Sequence, residues 1–343
     1  MAVNKIEIKK FTVFNDVEIS TSSGINVIIG ENGTGKTHLL KLVHADKTVR
    51  NIINNGPDIL LNPKHLPTYI LTKVFGMASS DGYIHNLTGN INLERFNQYK
   101  ADVLSLFAKD ASMFEVTVDV TAWRDTIFLP AKEMLSMSKI LDIHDKYSVA
   151  LSLESTYTEI ISMALRILPN IPPELSNKIA PILEKIIQGT VFTRDDPKGG
   201  SSFWVKKLNG DEIPFSMESE GYRKLGLLWR LIMNESITTD TVLLWDEPEA
   251  NINPNLVRPM VEILLELARN GVQIFLATHD YFFAKYVEVL SNENDKVAFH
   301  GLYKTENGVK CETADKFSLL SHNAIINEKI KLYEEETSKV MGI

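Results

Sequence analysis

The segment Gly30-Glu31-Asn32-Gly33-Thr34-Gly35-Lys36-Thr37 carries most of the information in this sequence about the fold. The apolar run at 25–29 precedes it, and apolar residues at Leu39, Leu40 and Val43 follow with the spacing of one helix face. A buried strand, a glycine-rich loop and a helix N-terminus in this order form a phosphate-binding loop, because the loop N–H groups and the helix dipole both favour an anion. The pattern therefore predicts an α/β sheet around a nucleotide site.

Two side chains of this loop have predicted chemical roles. Lys36 supplies a positive charge to the β and γ phosphates, and the Thr37 hydroxyl is a ligand for Mg²⁺. The alternative is a glycine-rich turn with a lysine by chance, but the flanking strand and helix favour the phosphate loop. The rest of the predicted nucleotide-binding set in this loop is Gly30, Asn32, Gly33, Gly35 and His38.

A pair of acids, Asp246 and Glu247, ends the apolar stretch 242–245. In a parallel sheet such acids lie at the carboxyl edge, where phosphates bind. Asp246 is the predicted metal residue, and Glu247 is the predicted general base for the attacking water. Paired acids at a strand end are often only solvated charges, but downstream of a phosphate loop the catalytic interpretation is stronger.

The remaining pattern predicts one domain, 1–343, with insertions. Strand and helix alternate through residues 241–290, and apolar strands in such an alternation indicate a parallel sheet covered on both faces. Elsewhere we assign strands within 5–29 and 101–129, a helical lobe at 131–190 beginning at Ala131, an antiparallel β-meander at 190–217, a helix at 219–233 and a helical tail at 317–343.

Composition narrows the function classes. The formal net charge of -8 argues against a chain built mainly to coat nucleic acid, although a local basic stripe leaves DNA or RNA binding open. The single cysteine, Cys311, excludes an intramolecular disulfide and fits a reducing compartment. The N-terminal stretch is charged where a signal peptide needs an apolar core, so we expect a cytoplasmic protein without a membrane partner.

Three further motifs complete a resemblance to the ABC-type ATPase superfamily. Residues 218–222, with Ser219 and Gly221, stand at the signature position; 246–254 resembles the Walker B motif running into the D-loop; and His279 follows the next strand as the switch histidine does. The sequence resembles soluble RecF-like and OLD-like AAA heads, related to SMC proteins and here without a Toprim domain, more than transporter subunits.

The resemblance implies a fold and an activity. The expected fold is an ABC ATPase head, an α/β domain with a mixed sheet around the phosphate loop, an antiparallel β subdomain and the inserted helical lobe. The implied cofactors are ATP and Mg²⁺, and the implied catalytic residues are Lys36, Glu247 and His279. Ser219 and Gly221 are expected to meet the ATP held by a second copy, giving a homodimer or a higher oligomer.

The sequence departs from the family at the Q-loop, where 128–133 contains no glutamine. Lys132 or Glu133 could substitute, although helix capping or a surface role is the preferred interpretation. Phe11 or Phe14 could stack on adenine, but either is more often a core residue. Arg223 could reach a phosphate or form a surface salt bridge.

Several functions remain open at this level. The preferred one is a nucleotide-driven switch that controls a separate effector such as a nuclease. The resemblance to RecF-like and OLD-like heads implies a setting in bacterial anti-phage defence. The runner-up is a RecF-like DNA repair ATPase. A transporter ATPase subunit, a non-hydrolysing scaffold and a nuclease in its own right are less favoured.

Overall fold

The computed structural model describes residues 2–54, 89–90, 103–108, 115–120, 125–138, 155–197 and 200–342. Within them lies a mixed sheet with strand order β4-β5-β6-β1-β2-β14-β13-β3-β12-β11-β7, together with a second sheet of order β10-β9-β8. The main-sheet strands are β1 (Val3–Phe11), β2 (Phe14–Ser20), β3 (Ile25–Gly30), β4 (Gly89–Asn90), β5 (Val103–Ala108), β6 (Glu115–Val120), β7 (Asp125–Leu129), β11 (Thr241–Asp246), β12 (Gln273–Thr278), β13 (Val297–Thr305) and β14 (Gly308–Ala314).

The parallel strands lie side by side toward the β7 end of this sheet, and three of them are fully buried. Every residue of β3, β11 and β12 is buried, as expected for strands covered on both faces. Ile29 of β3 lies opposite Thr278, and Asp246 lies opposite Ala277. The register therefore brings the ends of all three strands, and the loops that follow them, to one edge of the sheet.

Helices cover both faces of this sheet. The described helices are α1 (Lys36–Asn54), α2 (Ser155–Ala164), α3 (Ser176–Ile187), α4 (Glu220–Met233), α5 (Pro254–Arg269), α6 (Tyr281–Leu290) and α7 (Ala324–Met341). Leu40 of α1 packs with Leu244 in one apolar core, and Leu243 packs with helices α2 to α6 in the other. Among the described residues, no helix combines the length and apolarity needed to cross a bilayer.

The antiparallel part of the sheet contains a hairpin that the sequence analysis missed. No strand was assigned to residues 297–314, where β13 and β14 pair antiparallel around a turn at Gly308. β13 also pairs in parallel with β3, and β14 meets β2 at Val309. The hairpin thus joins the antiparallel strands to the parallel strands. Its local signal was the Asn307-Gly308 turn between alternating residues.

The inserted region differs in part from its prediction. A helix beginning at Ala131 is wrong for the described residues, where a 3-10 turn at Leu135–Met137 follows irregular chain. The Glu133 carboxylate accepts hydrogen bonds from the N–H groups of Leu135 and Ser136, which competes with helix formation. Residues 139–154 lie outside the described part. Beyond them are α2 and α3, and the predicted meander is present as β8 (Gly189–Asp195), β9 (Ser201–Lys207) and β10 (Glu212–Pro214).

One buried amide connects the parallel strand β12 to the N-terminal strand β1. The Gln273 side-chain oxygen accepts from Val3 N–H at 2.8 Å. Its amide nitrogen donates to the carbonyls of Val3 and Ser22 at 2.9 and 2.7 Å. Gln273 is 0% exposed, so water cannot replace these bonds.

Replacing Gln273 with methionine should therefore lower the free energy of unfolding by roughly 1–3 kcal/mol, since buried backbone groups would lose their partners. Urea denaturation measures the change. The same substitution at the exposed Gln188 is the control, expected to stay within about 0.5 kcal/mol. Equal unfolding midpoints for the two variants would contradict this role of Gln273.

Candidate functional site

The glycine-rich loop leaves β3 and enters α1 at the carboxyl edge of the sheet. Gly35 has φ of +86°, and a Cβ there would lie 2.6 Å from the Phe14 ring. A side chain at this position would therefore collide with β2 and strain the backbone. The loop is therefore folded tightly against the antiparallel strands.

Lys36 is held inside this loop. Its Nζ donates to the carbonyl of Gly30 at 2.8 Å and to that of Glu31 at 3.1 Å. Burial lowers the pKa of the Lys36 ammonium, and the nearby Glu247 and Asp246 carboxylates oppose that shift. The ammonium is thus a partly desolvated charge, for which a phosphate is a stronger partner than a neutral carbonyl.

Thr37 and Asp246 meet directly. The Thr37 hydroxyl donates to Asp246 Oδ2 at 2.8 Å. Burial raises the pKa of the Asp246 carboxyl, and the bond from Thr37 opposes that rise. Mg²⁺ in nucleotide sites prefers oxygen ligands and takes one or two from the protein while phosphates and water supply the others. This hydroxyl and carboxylate fit such an ion, which would also compensate the buried charge.

Glu247 and His279 form the second pair of the site. His279 Nδ1 lies 3.3 Å from Glu247 Oε1, and both side chains are partly exposed. Glu247 N–H donates to the Ala277 carbonyl at 2.8 Å, which anchors the turn after β11 to β12. Glu247 has φ of +44°, a left-handed conformation that costs a non-glycine residue free energy. A water molecule can reach this carboxylate from solvent.

Glu249 connects the two loops that carry this pair. Its Oε1 accepts from the Thr278 hydroxyl at 2.6 Å, while Thr278 Oγ1 accepts from Asp280 N–H at 3.0 Å. Burial raises the pKa of the Glu249 carboxyl. Through these contacts Glu249 connects the turn after β11 to the loop that carries His279.

The signature residues lie at the start of α4. Ser219 is its exposed N-cap and accepts from Tyr222 N–H at 3.5 Å. Gly221 is buried, and a Cβ there would lie 3.4 Å from Leu256 and 3.6 Å from Ile252. The structure therefore leaves Ser219 open to solvent and packs Gly221 on the chain after β11.

The position that lacks the family's glutamine is connected to α4. Glu133 is buried and its Oε2 lies 3.1 Å from Arg223 Nε. Burial raises the pKa of the Glu133 carboxyl. The sequence analysis left Glu133 and Lys132 between a Q-loop role and capping or a surface position. In the structure Glu133 caps the following turn and Lys132 is exposed, while Arg223 forms a salt bridge.

The aromatic candidates for adenine stacking are core residues. Phe11 is 4% exposed and Phe14 is 0% exposed, and both belong to the core between α1 and the sheet. His38, predicted to bind nucleotide, lies beside Thr12 with 3.2 Å between Nδ1 and the hydroxyl oxygen. Asn32 and Gly33 are exposed on the loop.

Two lysines near the site were missed from the sequence. Lys304 of β13 has its Nζ 3.6 Å from Glu31 Oε2, which places a cation beside the phosphate loop. Lys224 of α4 contacts the turn after β11. Finding Lys304 required the β13 strand, whose turn signal was present; nothing local in the sequence marks Lys224.

A protein-family model described as "AAA domain, putative AbiEii toxin, Type IV TA system" matches residues 25–284. The matched range includes the phosphate loop, the acid pair and His279.

Curated relatives match shorter stretches. The chain is 33% identical over 66 residues to the DNA replication and repair protein RecF of Oenococcus oeni (strain ATCC BAA-331 / PSU-1), which is 17% of this chain and 18% of RecF. It is 38% identical over 58 residues to the L-cystine import ATP-binding protein TcyN of Bacillus subtilis (strain 168), which is 17% of this chain and 20% of TcyN. These matches span a fifth or less of either relative.

A solved structure shares the fold. The SMC head bound to the C-terminal winged-helix domain of ScpA superposes with a TM-score of 0.51 at 14% identity. The superposition covers 93% of this chain and 99% of that one. The expected ABC-type ATPase fold, with its mixed sheet around the phosphate loop, is confirmed.

Proposed function

Because the chain belongs to the AAA domain family whose model spans its nucleotide motifs, we propose that it is a cytoplasmic ATPase that hydrolyses ATP with Mg²⁺. The carrying observation is that Thr37 bonds to Asp246 at the same sheet edge where His279 lies beside Glu247. Three segments of the chain, carrying Lys36 and Thr37, Asp246 and Glu247, and His279, thus converge on one place.

The proposed division of labour follows from their charges. Lys36 would exchange its carbonyl contacts for phosphate oxygens, and Thr37 and Asp246 would hold Mg²⁺. Bound Mg²⁺ would neutralise phosphate charge. Glu247 accepts a proton from the attacking water, and His279, in contact with that carboxylate, orients it.

Two substitutions separate binding from hydrolysis. Lys36→Ala should abolish tight Mg·ATP binding in calorimetry, because the phosphate charge loses its cation. Glu247→Gln should retain that binding, while turnover falls about 10²–10⁴-fold with loss of the base. Wild-type turnover in Glu247→Gln would remove Glu247 from this role, and unchanged affinity in Lys36→Ala would place the nucleotide elsewhere.

We propose further that each ATP is completed by a second copy. Ser219 is exposed at the N-terminus of α4, where free N–H groups and the helix dipole favour an anion. Its hydroxyl can therefore contact the γ-phosphate bound in the partner's loop. The main chain at Gly221 is proposed to contribute to the same contact. The result is a two-fold dimer with two shared sites.

Shared sites make a complementation test possible. Chains with Lys36→Ala and chains with Ser219→Arg should each be inactive alone, yet their heterodimer should regain one intact composite site. Turnover of purified mixed dimers, tagged differently on the two chains, measures the recovery. A mixed dimer with no more activity than its parents would contradict site sharing.

The output of this cycle is proposed to be control of a separate effector such as a nuclease, in bacterial anti-phage defence. Two comparisons support a partner and a toxic context: the family description names a toxin and a toxin–antitoxin system, and the similar SMC head is bound to another protein. The proposed docking surfaces are the lobe at 131–188 and the tail after 317. On the tail helix α7, Leu332 and Tyr333 are exposed apolar residues.

The alternative is a RecF-like DNA repair ATPase, favoured by the RecF match. A transporter ATPase subunit is a weaker candidate that has the TcyN match in its favour.

Affinity purification from the native host with ATP, using the Glu247→Gln chain, separates these functions. We expect a protein partner at fixed stoichiometry, lost in a Lys36→Ala control. Recovery of the homodimer alone, with ATPase activity stimulated by free DNA ends, would overturn effector control and support repair.

A further inference from the structure

A buried lysine lies between the signature helix and the catalytic turn. Lys224, on α4, is 2% exposed. Its Nζ donates to the carbonyls of Ala250 at 2.8 Å, Glu247 at 3.1 Å and Pro248 at 3.5 Å. An ammonium has three N–H donors, and all three have acceptors in one turn of chain.

Burying this ammonium in the fold costs desolvation free energy. Burial lowers the pKa of Lys224, and the surrounding Glu220, Glu249, Glu247 and Asp246 carboxylates oppose the shift. An apolar side chain would fill the same space without that desolvation. Unlike an apolar side chain, the lysine forms directional hydrogen bonds to the backbone carbonyls of the turn after β11.

The segment it holds is strained. Glu247 has φ of +44° and Asn251 has φ of +60°, both in the left-handed region. Ala250 N–H donates to the Glu247 carbonyl at 3.0 Å, so that carbonyl accepts from both the turn and Lys224. Because strained backbone persists only where surrounding contacts enforce it, the ammonium helps to keep Glu247 in this conformation.

Lys224 is also connected to the exposed end of α4. It lies five residues after Ser219, or about 7.5 Å along the axis at 1.5 Å per residue. Over so short a distance a helix moves as a rigid body. A phosphate that binds Ser219 and displaces α4 therefore displaces the Lys224 ammonium and the carbonyls bonded to it.

We propose that Lys224 is a positioning residue that couples the Ser219 end of α4 to the general base Glu247. It sets the backbone of the turn so that the carboxylate is placed for water activation when α4 engages the partner's nucleotide. This inference rests on the proposed ATPase function. It adds a physical connection through which Ser219 acts on Glu247 of the same subunit.

The first test compares Lys224→Met with Lys224→Arg. Methionine removes the three donors at similar length, so kcat should fall about 100-fold, the typical cost of a small misplacement, while the calorimetric Kd for Mg·ATP changes less than about threefold. Arginine keeps charged donors and should recover part of kcat. Lys185→Met, on the exposed surface of α3, is the control and should match wild type.

The second test asks whether Lys224 acts through Glu247. In a Glu247→Gln background, single-turnover hydrolysis should fall less than about threefold on adding Lys224→Met, because residues that act as a unit are non-additive. A 100-fold loss in both backgrounds would overturn the coupling, as would wild-type kcat in Lys224→Met. If Lys224→Met shows no cooperative thermal unfolding by circular dichroism, the variant is not folded. The non-additivity test is then run with Lys224→Arg.

These outcomes are distinguishable from failure of the proposed function. A wild-type chain that neither binds nor hydrolyses Mg·ATP refutes the ATPase itself. A wild-type chain that does both, beside a fully active Lys224→Met, refutes only the coupling.

Discussion

The parallel pairing of β3, β12 and β11 is the constraint on which the candidate site depends. Each strand is buried along its whole length, so a shift in register would move apolar side chains relative to both cores. The observed register ends all three strands at one edge. Thr37 and Asp246, 209 positions apart in sequence, can then share a hydrogen bond.

Neighbouring opposite charges in the site partly offset the cost of burying its ionisable groups. Burial raises the pKa of Asp246 and of Glu249, and it lowers the pKa of Lys36 and of Lys224. Each acid favours the charged form of a neighbouring lysine, so removal of one group changes the others. A nucleotide phosphate and Mg²⁺ would enter an arrangement that already holds both signs of charge.

Helix α4 connects the outer surface with this arrangement at several points. Arg223 pairs with Glu133 after β7, and Lys224 holds the turn after β11. Gly221 lets the helix pack closely on Ile252. The helix that presents Ser219 to solvent therefore contacts two of the loops that follow the parallel strands, and these contacts are the basis of the proposed coupling between subunits.

The sequence by itself determined the phosphate loop, the acid pair, the parallel strands β3, β11 and β12 and most helices, because apolar periodicity, glycine placement and strand ends are local patterns. It did not determine what depends on distant neighbours. The sequence left Phe14 between adenine and core, and only packing against Gly35 placed it in the core. The sequence predicted a helix beginning at Ala131, whereas the chain there is irregular and the Glu133 side chain caps a 3-10 turn and pairs with Arg223. Lys224 had no signal, since an amphipathic helix places lysines on its solvent face and only the tertiary fold shows that this one is buried against three carbonyls.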